Sequence, residues 1–209
     1  MNASEVSRSN KIRVQLLVFD GFEEMDAIGL YEPLRLAGLN VDLVSVREQD
    51  VVTAAYGLRM IPQGPIKLDN KPSLLCVPGG GWLRRAPQGA WTEAEKGDVL
   101  PVLREFHKAG VTLAAVCTGV LLLGRAGCLQ NRNATTNHQA VDELRAMGAR
   151  VTDARVVDDG DIVTAAGITS SLDLGLWLIE RFCGVEKALA VSRQLEFERR
   201  GSVWRKQAS

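Results

Sequence analysis

The chain has 209 residues, of which 46% are hydrophobic and 24% are charged, as in an ordinary globular protein long enough to bury a core. Its 25 Lys and Arg residues balance its 25 Asp and Glu residues, so no overall charge attracts nucleic acid or an anionic membrane. Four cysteines without a CxxC pair, and two histidines, favour reduced thiols and disfavour a zinc site. We therefore expect no metal, no cofactor, no nucleic-acid partner and no membrane partner.

Residues 1–11 are polar and lack the apolar stretch of a signal peptide, so we expect them to form a disordered leader. The longest apolar run, at 111–123, is shorter than the ~20 residues that a membrane helix needs. These features predict a cytoplasmic protein with one domain over residues 12–200 and a tail over 201–209.

Short apolar runs alternate with longer helical patterns along the chain. An apolar run without alternation is typical of a strand that is buried on both faces. In chain order, the predicted strands are 14–19, 41–46, a hairpin arm at 56–61, 73–77, 111–116, 133–135, 150–157 and 161–164. The predicted helices are 23–37, 94–109, the segment from the turn at 117–119 to 125, 137–147, 170–182 and 185–199, and residues 82–92 are predicted to be irregular.

Strands that alternate with helices predict a three-layer α/β sandwich, in which a mostly parallel sheet carries helices on both faces. Ligands bind such sheets outside the carboxyl ends of the strands. Three loops follow predicted strands there, at 20–26, 78–81 and 117–119. We expect these loops, which are distant in sequence, to meet at one rim and to form the functional site.

Cys117 follows the predicted central strand, and Thr118 and Gly119 then begin an apolar helix. This order of strand, nucleophile and helix is that of a nucleophile elbow. The positive end of the helix dipole is expected to lower the pKa of the thiol and favour the thiolate. A buried packing cysteine is the alternative interpretation of the local pattern. We expect packing roles for the cysteines that do not begin a helix directly after a strand: Cys76, Cys128 and Cys183.

The other two rim loops carry glycines and acids. Gly79 and Gly80 follow a predicted strand, and glycines there let a ligand approach the backbone and leave amides free for an anion, although a flexible turn is the alternative. Glu23, Glu24 and Asp26 begin a predicted helix, which carboxylates stabilise through the helix dipole. An acid facing the thiolate would instead stay protonated and could pass a proton to substrate.

Five segments, in the same order, resemble the ThiJ/PfpI superfamily: VFDGFEEMDAIGL, CVPGGG, AAVCTGVLLLGRAG, ATTNHQAVDEL and TAAGITSSLDLGLWLIERFCG. The resemblance spans residues 14–197 and implies a flavodoxin-like fold, also described as class I glutamine-amidotransferase-like. Within the superfamily the chain looks most similar to isonitrile hydratases and to the ligand domains of AraC-type regulators.

The resemblance implies that Cys117 is the nucleophile and that Asp26 is its acidic partner. It also implies that Gly79, Gly80 and the amide of Thr118 line an oxyanion or substrate-binding site. Thr follows the cysteine in isonitrile hydratases, whereas protease-like members have His there, so a Cys-His peptidase is disfavoured. Homodimerisation is a further implication of the resemblance.

One departure from the family pattern concerns a histidine. The family's Thr-Thr-His segment is Thr135-Thr136-Asn137-His138 here, so Asn137 takes the position of the histidine. We expect His138 to lie on a helix surface.

The predicted function is that of a cysteine-dependent, hydratase-like or lyase-like enzyme acting on a small-molecule electrophile. The resemblance favours hydration of an isonitrile to an N-substituted formamide through a covalent adduct on Cys117. One alternative is a deglycase or glyoxalase-type enzyme acting on 2-oxoaldehydes. Another is a non-enzymatic domain that senses a ligand or an oxidant.

Overall fold

The computed structural model of the protein describes residues 12–69 and 71–206. Its strands are β1 (Arg13–Val18), β2 (Asn40–Ser45), β3 (Val52–Thr53), β4 (Arg59–Met60), β5 (Leu74–Val77), β6 (Thr112–Val116), β7 (Asn133–Ala134), β8 (Arg150–Val151), β9 (Val156–Asp158), β10 (Ile162–Ala165) and β11 (Trp204–Arg205). Its α-helices are α1 (Glu24–Leu36), α2 (Ala90–Lys96), α3 (Val99–Lys108), α4 (Gly119–Arg125), α5 (Val141–Ala146), α6 (Ser170–Cys183) and α7 (Val185–Gln194). A short 3-10 turn, His138–Ala140, precedes α5.

A seven-stranded sheet has the order β11-β9-β10-β6-β5-β1-β2. Its neighbouring strands are parallel, except that β9 and β10 are antiparallel. Helices α1, α6 and α7 pack together as one group, and α2 to α5 pack together as another. The predicted three-layer sandwich with a mostly parallel sheet is confirmed.

The core lies along the central strands. Every residue of β5, β6 and β10 is buried, because helices cover both faces of a parallel sheet and leave no solvent-facing row. The continuous apolar runs in the sequence correspond to these strands. Since β6 lies between β5 and β10, the residue that follows β6 sits at the middle of the rim.

Several predicted boundaries were wrong. The helix predicted at 94–109 is two helices, because Gly97 takes a left-handed conformation (φ 82°) and ends α2, which itself begins within the segment predicted to be irregular. The strand predicted at 150–157 is also two strands: β8 pairs with β7 in a small separate sheet, whereas β9 joins the large one. The last helix, α7, ends at Gln194 instead of residue 199.

The predicted leader, residues 1–11, and the last residues of the predicted tail, 207–209, lie outside the described residues. Within the predicted tail, Trp204–Arg205 forms β11 and pairs with β9 at the edge of the large sheet. Across residues 12–69 and 71–206, no helix is both long enough and apolar enough to cross a membrane.

Candidate active site

Cys117 occupies a sharp turn between β6 and α4. Its backbone is left-handed, with a φ of 54°, a conformation that is uncommon for residues other than glycine and that collects at functional sites. Its amide donates to the carbonyls of Ala165 and Ala166 at 3.1 and 3.0 Å. Its own carbonyl accepts a hydrogen bond of 2.7 Å from Thr136 Oγ1. The neighbouring elements thus fix the turn from both sides.

The turn packs directly on the glycine loop that follows β5. A Cβ atom on Gly119 would lie 2.4 Å from the carbonyl oxygen of Pro78, and one on Gly79 would lie 2.6 Å from the amide nitrogen of Thr118. Contacts this short are absent between ordinary side chains and backbone, so only glycine allows the two loops to approach so closely. The glycines therefore set the spacing of the rim.

Asp26 lies in the first turn of α1 and is fully buried. Its Oδ2 accepts a hydrogen bond of 2.8 Å from the amide of Gly79. Its Oδ1 is buried and has no hydrogen-bond partner of ordinary geometry among the described residues. Burial raises the pKa of Asp26 to about 8, with a further increase from the charge of Glu23, while the Gly79 amide and the Cys117 thiol act in the opposite direction. The acid therefore carries a proton at neutral pH.

The Cys117 thiol is only 5% exposed. Burial raises its pKa to about 11, and the charge of Asp26 raises it further, whereas the backbone amides of Ile168 and Thr118 and the side chain of Asn137 lower it. The prediction of a lowered thiol pKa was therefore wrong. The seven-residue helix α4 offers a partial positive charge, but the loss of solvent around the sulfur outweighs it.

The amides of the glycine loop differ from the prediction of free anion-binding donors. The Gly79 amide is bonded to Asp26 Oδ2, and the Gly80 amide donates a hydrogen bond of 3.0 Å to Thr118 Oγ1. The Thr118 amide is directed at the sulfur of Cys117 and stabilises its charged form. The structure thus uses the two glycine amides to hold the acid and the turn in place.

The comparisons with known proteins give the family of this chain. The model of the DJ-1/PfpI family matches residues 12–181. The chain belongs to the DJ-1/PfpI family. It is 33% identical over 187 residues to the isonitrile hydratase of Pseudomonas putida, a match that covers 89% of this chain and 78% of the hydratase.

Two other relatives place this DJ-1/PfpI protein among diverse members. It is 33% identical over 185 residues to the HTH-type transcriptional regulator CdhR of Pseudomonas aeruginosa, covering 85% of this chain and 53% of the regulator. The crystal structure of DJ-1beta from Drosophila melanogaster superposes with a TM-score of 0.79 at 22% identity, covering 90% of this chain and 98% of that structure. The family therefore fixes the fold of the chain but leaves its activity open.

In this DJ-1/PfpI protein the structure brings Cys117, Asp26 and the glycine loop together at one rim. Two further groups contact the sulfur that the sequence pattern did not predict as its partners. The amide of Ile168 approaches it from the loop after β10, and the side-chain Nδ2 of Asn137 lies 3.6 Å from it. The loop after β10 follows a parallel strand beside β6, so the rule for carboxyl ends of strands could have identified it. His138 is exposed, as the sequence suggested.

The segment after the glycine loop is anchored by aromatic residues. Trp82 is buried, and its Nε1 donates a hydrogen bond of 2.9 Å to Glu143 of α5. The guanidinium of Arg85 lies 3.9 Å from the ring centroid of Trp91, within the range of a cation–π contact. These contacts tie the loop to α2 and α5.

Two observations concern the rest of the described chain. A cleft of about 720 Å³ lies between α6, α7 and the segment after α7, but its lining includes neither Cys117 nor Asp26. Within residues 12–69 and 71–206, no group of three or more His, Cys, Asp or Glu side chains is arranged to hold a metal ion. Neither observation concerns Cys117 and Asp26, and this pair stands as the candidate active site on the contacts given above.

Proposed function

We propose that the protein is an isonitrile hydratase-like enzyme, with Cys117 as nucleophile and Asp26 as acid and base. The observation that carries the proposal is the buried pair itself: the Asp26 carboxyl, with Oδ2 held by Gly79 and Oδ1 without a partner, interacts with the nearly buried thiol of Cys117. Burial raises the pKa of both groups. Both groups hold protons at neutral pH. An isonitrile carbon needs a proton as sulfur adds to it, so this pair supplies what the reaction consumes.

In the first step, the sulfur of Cys117 forms a bond to the terminal carbon of the isonitrile. The Asp26 carboxyl gives its proton to that same carbon and recovers one from the thiol. The net change is addition of S–H across the carbon, and the product is a thioimidate in which carbon carries one hydrogen, the sulfur and the doubly bonded nitrogen. The free Oδ1 of Asp26 suits this transfer, since its other oxygen is held by Gly79.

In the second step, water adds to the thioimidate carbon and its proton ends on nitrogen. The resulting hydroxyl then loses its proton through Asp26 as the C–S bond breaks, and the sulfur of Cys117 takes a proton back. The products are an N-substituted formamide and free enzyme, so one water is consumed for each isonitrile. The amides of Thr118 and Ile168, which stabilise negative charge on the sulfur, assist its departure.

The second enzymatic candidate is a deglycase or glyoxalase-type reaction on 2-oxoaldehydes. The same pair could add S–H across an aldehyde carbonyl. However, neither histidine serves the sulfur: His107 pairs with Asp161 at 2.8 Å, and His138 is exposed. A site without a histidine disfavours branches of the superfamily that use one beside the carboxylate.

An oxidant sensor is supported less well. Cysteine oxidation requires thiolate character and exposure. The thiol of Cys117 is nearly buried, and burial raises its pKa. A resting enzyme whose thiol ionises only as substrate adds fits these properties better than a sensor does.

The test is a turnover assay that measures the N-alkylformamide formed from a simple alkyl isonitrile, with a 2-oxoaldehyde assayed in parallel. We expect formamide from the wild type, no turnover from Cys117→Ala, and a loss of roughly 10²- to 10⁴-fold from Asp26→Asn, the range for a lost general acid. Cys183→Ala is the matched control, because Cys183 ends α6 and is only half-buried. Turnover of the 2-oxoaldehyde alone, or full activity in Cys117→Ala, refutes the proposal.

We further propose that the protein acts in the cytoplasm as a homodimer on a small-molecule electrophile. Tyr56 of the β3–β4 hairpin and Ile61 directly after it are largely exposed (77% and 74%), and we infer that they contribute to one apolar contact surface. Light scattering on the purified protein measures the assembly directly. A monomer at micromolar concentration contradicts it.

A further inference from the structure

Asn137 is held in one orientation between a turn and the reactive sulfur. Its Oδ1 accepts a hydrogen bond of 3.0 Å from the amide of Gln139 and so caps the 3-10 turn at His138–Ala140. Its Nδ2 donates to Cys117 Sγ at 3.6 Å. Because the cap occupies the oxygen, the NH₂ group is the part of the amide that faces the sulfur.

The backbone after β10 holds the amide from the other side. A Cβ atom on Gly167 would lie 2.8 Å from Asn137 Nδ2, so the side chain packs tightly against this loop. The next residue, Ile168, has a φ of 35°, an unusual value for a β-branched residue that marks local strain. The strained residue directs its backbone amide at the same sulfur.

The sulfur thereby receives donors from three separate parts of the chain. These are the amide of Thr118 at the start of α4, the amide of Ile168 after β10, and the side chain of Asn137 before α5. A primary amide donates hydrogen bonds but does not take up a proton near neutral pH, unlike an imidazole. The titratable group that faces the sulfur is Asp26 of α1, which is itself influenced by Glu23.

We propose that Asn137 is a positioning residue for Cys117. Its N–H holds the sulfur beside the amides of Thr118 and Ile168 and stabilises the sulfur when it is charged, and all proton transfer is left to Asp26. The stabilisation matters when sulfur attacks and again when the C–S bond breaks, where negative charge develops on sulfur. This inference deepens the proposed function and rests on it only for the kinetic consequences, because the effect on the thiol exists without any substrate.

The test compares Asn137→Ser with the wild type and with His138→Ala. Serine keeps an oxygen that can cap the 3-10 turn but is too short to reach the sulfur. We expect Asn137→Ser to slow iodoacetamide alkylation of Cys117 by roughly three- to tenfold at a fixed alkaline pH, the effect of losing one hydrogen bond of ordinary strength to the sulfur. The exposed His138 is the control, and His138→Ala is expected to match the wild type.

A second variant, Asn137→His, places a titratable ring where the amide was. We expect a new inflection in the pH profile of alkylation near the ordinary histidine pKa of about 6.5, since protonation of the ring would place a positive charge beside the sulfur and favour its thiolate. This readout does not depend on how well Asn137→Ser folds. If the side chain at position 137 only caps the 3-10 turn and does not act on the sulfur, no such inflection will appear.

The outcomes separate this inference from the proposed function. Alkylation profiles of Asn137→Ser and Asn137→His that both match the wild type overturn the positioning role, even if isonitrile is hydrated. Altered profiles support the role, even if the wild type proves inactive on isonitriles, in which case only the proposed function fails. If turnover is present, Asn137→Ser is expected to lower kcat by a similar factor and to leave KM nearly unchanged.

Discussion

Asp26 Oδ2 accepts the amide hydrogen of Gly79 at 2.8 Å, which ties the buried acid of α1 to the glycine loop after β5. The bond survives in either protonation state of the acid, because a carboxyl oxygen accepts in both. The second oxygen, Oδ1, has no hydrogen-bond partner among the described residues and is the oxygen that the proposed mechanism uses for proton transfer. The hydrogen bond to Gly79 and the proposed proton transfer thus use different oxygens of the acid.

Asp26 makes the stability of the fold depend on pH. Its folded-state pKa of about 8 exceeds the unfolded value of about 4, so between these values the folded protein holds a proton that the unfolded chain releases. This contribution to stability is complete below about pH 4 and is lost as the pH rises through about 8, with a slope of at most about 1.4 kcal/mol per pH unit. Asp26→Asn keeps an acceptor for Gly79 and removes the titration.

Urea denaturation at several pH values from 4 to 8 measures this difference. We expect the free energy of unfolding of Asp26→Asn to increase relative to the wild type as the pH rises. Asp153→Asn, at an exposed acid, is the control and should show no such trend. Parallel curves for the wild type and Asp26→Asn would mean that Asp26 titrates at an ordinary pKa.

Turnover is expected to fall at alkaline pH because Asp26 loses its proton there. The proposed first step uses the protonated form of Asp26, which disappears above a pH of about 8. We expect kcat/KM for an isonitrile to fall above that pH, approaching tenfold per unit. Steady-state rates measured alongside circular dichroism separate lost protonation from unfolding. Activity that rises up to pH 10 would instead indicate that a thiolate is the limiting species.

Gly79 is expected to tolerate no side chain. A methyl group would lie 2.6 Å from backbone and side-chain atoms of Thr118, and the backbone cannot yield without moving the turn. We expect Gly79→Ala to lower the free energy of unfolding by about 1–3 kcal/mol and to abolish turnover. Gly124→Ala is the matched control, since its close neighbour is the flexible end of Met147. Equal effects of both substitutions would show that the close approach of Gly79 to Thr118 does not require a glycine.

Thr136 stabilises the turn at Cys117, because its hydroxyl donates a hydrogen bond to the Cys117 carbonyl. Thr136→Val keeps the shape and removes the donor, which leaves a buried carbonyl poorly satisfied. We expect a loss of about 1–2 kcal/mol in the free energy of unfolding, measured by urea denaturation. The half-buried Thr152, changed to Val, should cost much less. A neutral Thr136→Val variant would show that the turn does not depend on this bond.

The sequence contained most of the fold because its strands are buried on both faces. Continuous apolar runs before Asp20 and before Pro78 and Cys117 predicted β1, β5 and β6 and the rim on which they end. Breaks inside elements were harder to predict: the left-handed Gly97 divides α2 from α3, although the same residue type is also tolerated within helices.

Properties of the site that arise from tertiary burial could not be derived from the local pattern. The helix dipole alone predicts a lowered pKa for the Cys117 thiol, whereas desolvation by the surrounding elements raises this pKa. Likewise, the contact of Asn137 with the sulfur joins residues twenty positions apart and depends on how the segment before α5 folds back over the turn. Local sequence therefore placed Cys117 at the turn between strand and helix but did not predict how the surrounding groups shift the pKa of its thiol.

The most direct test of the central claim is mass spectrometry of the protein quenched during turnover of an alkyl isonitrile. We expect a covalent species that is heavier than the free protein by the full mass of the isonitrile, because S–H adds without a leaving group. This species should be localised to the peptide that contains Cys117. The species should be absent in Cys117→Ala. Formamide production without any adduct, together with activity in Cys117→Ala, would contradict covalent catalysis by this cysteine.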